Sequence, residues 1–432
     1  MSNSIEKVAI HTLGCKLNFS ESSTIARDFV NKGFSIVKDF ENANIHIINT
    51  CSVTDNSDKK TKRLINKINR TSEHPYITII GCYAQLKPDE ILNIQGVNLV
   101  VGDKEKLNVV NHIIKNYDLN SSKVIHSPIS LSNSFTASFS MKDRVRSYLK
   151  IQDGCDYPCT YCTIPIARGK SRSDSIDNIL KNIKILEQNK VSEVVITGVN
   201  IGDFKIKNNK SLFTLLESIN KTTIIKRFRI SSIEPNLLTK QIVNLIKNSN
   251  SFLPHFHIPL QSGSDKILKL MKRKYNSKMY FNKIKLIQKT MPSACIGADV
   301  IVGFPGETEE DFEVTYKYLK SLDISYLHVF SYSIRNKTIA SDMKDQTLKS
   351  VKLDRSRKLQ ILSNRMRQSF YYKNINKERK VLFENIYNNE YIIGFSDNYI
   401  RVFVKGTEDM LNKTYNVKLL FIEDEKFFGE IT

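Results

Sequence analysis

The stretch Cys155-Asp-Tyr-Pro-Cys159-Thr-Tyr-Cys162 places three thiols within eight residues, on the spacing C-x3-C-x2-C. Gly154 precedes it and permits an unusual backbone turn, and Pro158 fixes φ just before the second cysteine. Three thiolates on one tight loop can converge on one iron–sulfur cube. Ordinary 4Fe–4S sites take four Cys ligands. No fourth cysteine is near, so one iron would keep an open position, the mark of a catalytic site, as at catalytic zinc. A structural zinc loop is the alternative, although zinc usually draws on paired C-x2-4-C knuckles and four protein ligands. Three unrelated thiols would be an odd clustering of seven cysteines spread over 432 residues.

A second set of thiols becomes visible through the elements that carry them. Val8-Ala-Ile-His-Thr-Leu reads as a strand running to Gly14-Cys15. Ile45-His-Ile-Ile-Asn runs to Thr50-Cys51, and Tyr76-Ile-Thr-Ile-Ile to Gly81-Cys82. Helical patterns over 22–31 and 58–70 lie between them, which predicts a parallel α/β sheet. In such a sheet the C-terminal strand ends share one edge, where ligands bind. Cys15, Cys51 and Cys82 would therefore meet in space. The bland alternative is three buried cysteines acting as small hydrophobes.

After a Ser-rich linker over 119–140, strand-then-helix patterning recurs over 141–371. Tyr148-Leu-Lys-Ile leads to the cysteine loop. Val194-Val-Ile-Thr leads to Gly198-Val-Asn200, and Arg227-Phe-Arg-Ile to Ser231-Ser-Ile-Glu234. His255-Phe-His-Ile-Pro-Leu leads to Gln261, Ile296–Val302 to Gly303-Phe-Pro-Gly306, and Tyr326-Leu-His-Val-Phe to Ser331. About six βα units suit a partial (β/α) barrel with its site at the C-terminal strand ends. His255 and His257 alternate on one strand, but no further His or carboxylate lies at ligand spacing, so they read as packed histidines. Cys295 stands outside both triplets and reads as a non-ligand. Residues 372–432 turn to short, partly alternating strands with Asn388-Asn389 and Ser396-Asp-Asn398 turns, the pattern of a small β-barrel. The expected fold class is α/β: an N-terminal parallel domain over 1–118, a partial (β/α) barrel and a C-terminal small β-barrel.

Composition bounds the partners. Lys+Arg number 65 against 44 Asp+Glu, for a net +21, which suggests a polyanion, most simply nucleic acid. A proteome-wide lysine bias is the alternative. No acid occurs between Asp265 and Asp299, while nine Lys or Arg do. A second acid-poor run carries Arg355, Arg357, Lys358, Arg365, Arg367 and Lys373. The last 61 residues are nearly balanced, with nine Lys+Arg and ten Asp+Glu, so the phosphate contact is expected on the basic helix before them. No apolar run approaches a membrane span, Met1-Ser-Asn-Ser-Ile-Glu-Lys lacks a signal-peptide core, and an odd cysteine count argues against a disulfide framework. These features lead to the expectation of a cytoplasmic protein with no membrane partner.

The cysteine loop and its flanks, Lys150-Ile-Gln-Asp-Gly-Cys155 and Cys162-Thr-Ile-Pro165-Ile-Ala-Arg168-Gly169, resemble the radical S-adenosylmethionine (SAM) superfamily, and within it the methylthiotransferases. Thr12-Leu-Gly-Cys15-Lys-Leu-Asn18, Asn49-Thr-Cys51-Ser-Val-Thr and Gly81-Cys82-Tyr-Ala-Gln resemble that family's N-terminal domain, and 372–432 resembles its TRAM domain, an RNA-binding barrel. The match runs nearly the whole chain in family order. Cys15-Lys-Leu-Asn18, Gly198-Val-Asn200 and Ser231-Ser-Ile-Glu-Pro235 look like the branch acting on threonylcarbamoyladenosine in tRNA. The isopentenyladenosine branch typically has Gly-Gln-Asn instead of Gly-Val-Asn.

The resemblance implies two 4Fe–4S clusters. The one on Cys155, Cys159 and Cys162 would bind SAM through its open iron and cleave it to a 5′-deoxyadenosyl radical. The auxiliary one on Cys15, Cys51 and Cys82 would carry the sulfur. One SAM would methylate that sulfur, and the radical from a second would abstract hydrogen from C2 of the adenine. Tyr161 would lie near the adenine of SAM, Gly198 would let SAM approach the backbone, and Asn200, Glu234 and Gln261 could hydrogen-bond it. An electron donor such as a flavodoxin or ferredoxin and a sulfur source are implied as partners beside tRNA. Arg335 and Arg229 are candidate cations for the threonylcarbamoyl carboxylate. The family usually has Pro and Gly where Asn336 and Lys337 stand, which leaves that loop's shape open. Alternatives are a methylthiotransferase for isopentenyladenosine tRNA or for a ribosomal protein, or an RNA-binding protein with structural metal sites.

Overall fold

The computed structural model describes residues 6–38, 42–132, 134–141, 145–206, 210–388 and 390–432. The first five residues of the chain, and Asn389 of one expected turn, lie outside them. Five parallel strands, β1 (Lys7–Thr12), β2 (Ile45–Thr50), β3 (Tyr76–Gly81), β4 (Val97–Val101) and β5 (Lys123–Ile125), stand side by side in chain order, with the two-residue strand Ser35–Ile36 outside β1. Every step between them is a crossover, so both faces are covered. Helix α1 (Lys16–Asn31) puts Ile25 and Phe29 on one face with Val109 and Ile113. Helix α2 (Asp55–Thr71) puts Ile65 and Ile68 on the other. Burial on both faces explains why β2 and β3 read as continuous apolar runs. Thr54 caps α2 by accepting from the Ser57 N–H, with Asp55 and Asp58 in its first turn.

Six further parallel strands form the second body: β6 (Arg146–Lys150), β7 (Glu193–Thr197), β8 (Phe228–Ile230), β9 (His255–His257), β10 (Cys295–Val302) and β11 (Tyr326–Ser331). β6, β7 and β8 share one ladder and β9, β10 and β11 another. The seam between β8 and β9 is joined by a Phe228–Phe252 bridge and by the Leu253 N–H donating to the Phe228 carbonyl at 2.9 Å. The result is the open six-stranded barrel expected from the pattern. The expected linker is partly built into both bodies. Its residues Lys123–Ile125 complete the first sheet, and Ser138–Phe139 pairs antiparallel with β6.

Helix α4 (Lys349–Tyr372) leads out of the barrel, with the short α3 (Ile164–Arg168) lying earlier, just past the cysteine loop. Five strands then close a small barrel in the order β12 (Glu378–Tyr387), β13 (Tyr391–Ser396), β14 (Arg401–Lys405), β16 (Lys426–Ile431), β15 (Thr414–Glu423). Bulges at Phe383/Asn385 and Leu419/Phe421 supply the curvature. Buried arginines fasten this barrel to the core. Arg229 holds Glu193 at 2.7 Å and donates to the carbonyls of Ser396 and Asp397, and Arg227 donates to that of Phe395. The first body docks through α1, whose Phe19 packs on Tyr148 and whose Ser20 bonds Ser138 at 2.9 Å.

Candidate active site

Cys15, Cys51 and Cys82 follow the C-terminal ends of β1, β2 and β3, and the parallel register sets Thr12 beside Asn49 and Thr50 beside Gly81. The thiols therefore share one edge. Two glycines make the approach possible. A Cβ on Gly14, at φ +122°, would stand 2.7 Å from the Cys51 Cβ, and one on Gly81, at φ +93°, would stand 2.5 Å from the Thr50 carbonyl. Cys15 is exposed, Cys51 half-buried and Cys82 buried. Burial pushes the Cys51 thiol up, with the neighbouring Cys15 adding to the effect, and pushes Cys82 up to about 12 against the pull of Arg168. Such thiols stay protonated without a metal and give up their protons on binding one.

The cysteine loop packs against the far side of the same region. Gly154 takes φ +69°, and the Tyr157 N–H donates to Cys155 Sγ at 3.4 Å. Burial raises all three thiols, Cys155 to about 11 and Cys162 to about 12; repulsion from neighbouring thiols adds to the shift at Cys155 and Cys162, and the Glu234 carboxylate adds to it at Cys159. Arg273 opposes this at Cys159, donating to its Sγ at 3.1 Å while also pairing with Glu234 and reaching the Tyr161 hydroxyl. Three clustered thiols with one cationic donor suit an anionic metal–sulfur group. Helix α3 ties the two triplets together, because it starts just after Cys162 and ends on Arg168, which donates to Cys82 Sγ at 3.4 Å.

The residues expected to meet SAM fall into three groups. Asn200 is 4% exposed, yet neither its Oδ1 nor its Nδ2 has a protein partner among the described residues. Ser231 Oγ and Asn236 Oδ1 share that condition. Buried polar atoms without partners mark a place for a ligand's polar groups; Ser231 opens the Ser231-Ser-Ile-Glu-Pro235 motif, in which only Glu234 reads as a cofactor contact, and Asn236 carries no motif weight. Tyr161 and Gln261, the latter at φ +68°, line a cavity of about 240 Å³ together with Val53, Thr54, Cys162 and Asp299. That cavity joins the neighbourhood of Cys51 to the cysteine loop. Gly198 and Glu234 are engaged by protein. A Cβ at Gly198 would meet Gln152 Oε1 at 2.9 Å, and Glu234 pairs with Arg273.

Both candidate cations for the substrate carboxylate hold protein groups. Arg229 is 2% exposed and holds the small barrel; Arg335 pairs with Asp58 at 2.9 Å through Nη1 and donates from Nε to the Val53 carbonyl, while its buried Nη2 has no partner among the described residues. Arg355 likewise leaves the expected phosphate-binding face, since it is buried against Glu307 at 2.7 Å and Glu309 at 2.9 Å. Arg357 and Arg365 remain exposed on α4. The small barrel carries cation–ring contacts that its balanced charge concealed: Arg401 lies 5.3 Å over the buried ring of Phe403 and Lys426 lies 5.1 Å over Tyr387. His257 is not isolated either. Its Nε2 bonds Asp299 at 2.9 Å and His328 reaches the same oxygen at 3.3 Å, both partners coming from other strands. Cys295 is buried beside Ser325 and Arg367, away from both triplets.

Two family profiles match this architecture, the radical SAM superfamily over residues 149–319 and "Uncharacterized protein family UPF0004" over 7–102. The threonylcarbamoyladenosine tRNA methylthiotransferase MtaB of Bacillus subtilis is 37% identical over 430 residues, covering 96% of this chain and 93% of the relative. The chain belongs to the radical SAM tRNA methylthiotransferases. It is an enzyme of that family. The MtaB of Aquifex aeolicus is also 37% identical, covering 87% of this chain and 92% of its own. A tRNA-2-methylthio-N(6)-dimethylallyladenosine synthase of Thermodesulfovibrio yellowstonii is 34% identical, covering 81% of each. Among solved structures, the radical SAM methyltransferase TsrM of Kitasatospora setae aligns with a TM-score of 0.57 at 11% identity, over 78% of this chain and 77% of its own, a likeness of fold. No helix among the described residues is long and apolar enough to cross a membrane.

Proposed function

We propose that this methylthiotransferase places a methylthio group on C2 of N6-threonylcarbamoyladenosine next to the anticodon of tRNA. The observation that carries the reading is the pair of cysteine triplets, on two bodies tied by α3 through Arg168 and Cys82, beside a cavity lined by Cys162 and by Val53 and Thr54, which follow Cys51 in the chain. Cys155, Cys159 and Cys162 would hold one 4Fe–4S cluster, and Cys15, Cys51 and Cys82 the second. SAM and the clusters, when bound, supply the methyl, sulfur and radical chemistry, which is their own. The chain's residues bind and orient. Arg273 donates to Cys159 and fixes Glu234, so one cation serves both cluster and cofactor sides. Asn200, Ser231 and Asn236 would hydrogen-bond the amino-acid and ribose groups of SAM. Tyr161 packs edge-on against Phe304 and closes the cavity wall, keeping water from the reacting groups.

tRNA would lie across Arg357 and Arg365 of α4 and the face of the small barrel that carries Arg401 and the exposed Phe421, where phosphate contacts and base stacking combine. The cycle also needs an electron donor, such as a flavodoxin or ferredoxin, and a sulfur source, and would run in the cytoplasm. The same architecture serves relatives acting on dimethylallyladenosine, so substrate identity is the point to test. The reconstituted enzyme is given two anticodon stem-loops, one with each modification. Methylthiolation of the threonylcarbamoyl loop is expected; activity confined to the isopentenyl loop overturns the reading.

A further inference from the structure

Two cavities lie along β11. Phe330 and Ser331, toward its C-terminal end, line the one beside the cysteine loop. Tyr326 and His328, toward its start, line a second of about 420 Å³ that reaches between the open barrel, α4 and the small barrel. His328 and Phe330 are two residues apart, about 7 Å along a strand. One contact joins the two spaces, because His328 Nδ1 lies 3.3 Å from Oδ1 of Asp299, which lines the first.

The second cavity combines rings with uncommitted cations. Phe370 of α4 and Tyr387 of the small barrel line it, as do Arg367, Arg401 and Lys426, against Glu425 as the one carboxylate among the lining residues. None of these three cations forms an ion pair among the described residues. The arginines on the strands of the open barrel differ: Glu384 holds Arg146, and Glu193 holds Arg227 and Arg229. The rings differ among themselves too. Tyr399 also lines the cavity, but it is stacked on His255 at 4.2 Å and on Phe395 at 5.0 Å. Phe370 has no ring or cation stacked on it among the described residues, and the His328 side chain is 55% exposed.

We propose that this second cavity takes an unpaired base of the tRNA loop next to the modified adenosine, stacked against Phe370 and Tyr387 with its phosphate on Arg401, Arg367 and Lys426; this rests on the tRNA substrate proposed above. A nucleotide uses what the cavity offers, since every base has a π-face and every phosphate a charge. The occupant is a neighbour and not the modified adenosine itself, because none of the six triplet cysteines lines this cavity. Loop bases are recognised by being splayed apart and stacked singly on side chains. A base held beside His328 would leave the next nucleotide to extend along β11 into the cavity at the cysteine loop.

The test uses the full-length, reconstituted protein and anticodon stem-loops in which each loop nucleotide other than the modified adenosine is made abasic in turn. For the native protein, one position beside that adenosine should cost roughly 5- to 150-fold in affinity, the range for stacking a base on aromatic side chains. In Tyr387→Ala and in Phe370→Ala the cost at that position should shrink toward none, while the costs at other positions stay. Tyr387→Phe, which keeps the ring, should keep it. Each cost is a ratio measured on one preparation, so a fraction of misfolded protein cancels. Costs that are the same at every position in the native and both alanine proteins overturn the inference. Loops with either adenosine modification serve for binding. Methylthiolation of the isopentenyl loop alone would therefore overturn the substrate reading, while the abasic comparison still decides the cavity.

Discussion

Arg168 and Glu21 meet in a forked ion pair, Nη1 to Oε1 at 3.0 Å and Nη2 to Oε2 at 3.4 Å, with both side chains out of solvent. One belongs to the SAM core and the other to the first helix of the N-terminal body. Asp153, Asn18 and Cys82 Sγ accept from the same guanidinium, and Lys106 and Lys150 hold Glu21 from other sides. Opposite charges keep the Glu21 carboxyl well below its usual range despite burial. Breaking one partner of such a buried pair typically costs about 3–5 kcal/mol. Arg168→Met should fall near the low end, since the two lysines remain, and should loosen Cys82. Urea unfolding and iron per chain check both effects; unchanged values would mean that the bodies dock without this network.

Replacing Cys155, Cys159 and Cys162 with Ala should remove about half the iron, if each triplet holds one cube, and abolish SAM cleavage. The second cluster should persist in the visible spectrum. A triple variant that keeps full iron would show the assignment to be wrong.

Asn200→Ala separates binding from folding. Its side-chain atoms have no protein partner to lose, so stability should change little, whereas removing a hydrogen bond to a charged cofactor group should weaken SAM binding roughly tenfold or more. Calorimetric titration with SAM beside a thermal melt makes the comparison. Normal SAM affinity would remove Asn200 from the cofactor site.

Arg357 and Arg365 should behave unlike Arg355. Changing the exposed pair to Gln should flatten the salt dependence of tRNA binding by roughly 0.7 to 0.9 in slope for each phosphate no longer neutralised. Arg355→Gln should leave that slope alone and destabilise the protein, because Glu307 would stay buried without its cation. Filter binding across a salt series decides, and an unchanged slope in the first variant would make that face merely solvated.

His11 and His46 stack with Nε2 and Nδ1 3.1 Å apart, and burial pushes both down to about 4 from 6.5. Between those values the unfolded chain binds more protons than the folded one, so stability rises with pH. Their contribution is fully present above 6.5 and is lost as pH falls through about 4. In the cluster-free protein, changing both to Gln should make stability shallower in pH across this window. A slope equal to that of the unmodified chain would assign the effect to other groups.

What the sequence determined by itself was whatever is encoded over short range. The C-x3-C-x2-C loop needs only eight residues, Gly154 and Pro158 to bring three thiols together. The alternation of apolar runs and helical patterns was enough to foresee parallel sheets, and parallel sheets put Cys15, Cys51 and Cys82 on one edge whatever their separation in the chain. Charge partners were not legible in that way. Arg229, Arg335 and Arg355 read alike as free cations, and packing placed each beside a buried carboxylate from a distant element. The same holds for His257, whose Asp299 and His328 lie on two later strands. A buried charge must find an opposite charge or hydrogen bonds, and which one it finds depends on how bodies dock rather than on neighbours in sequence. Only the tertiary structure could therefore single out the arginines that hold the molecule together.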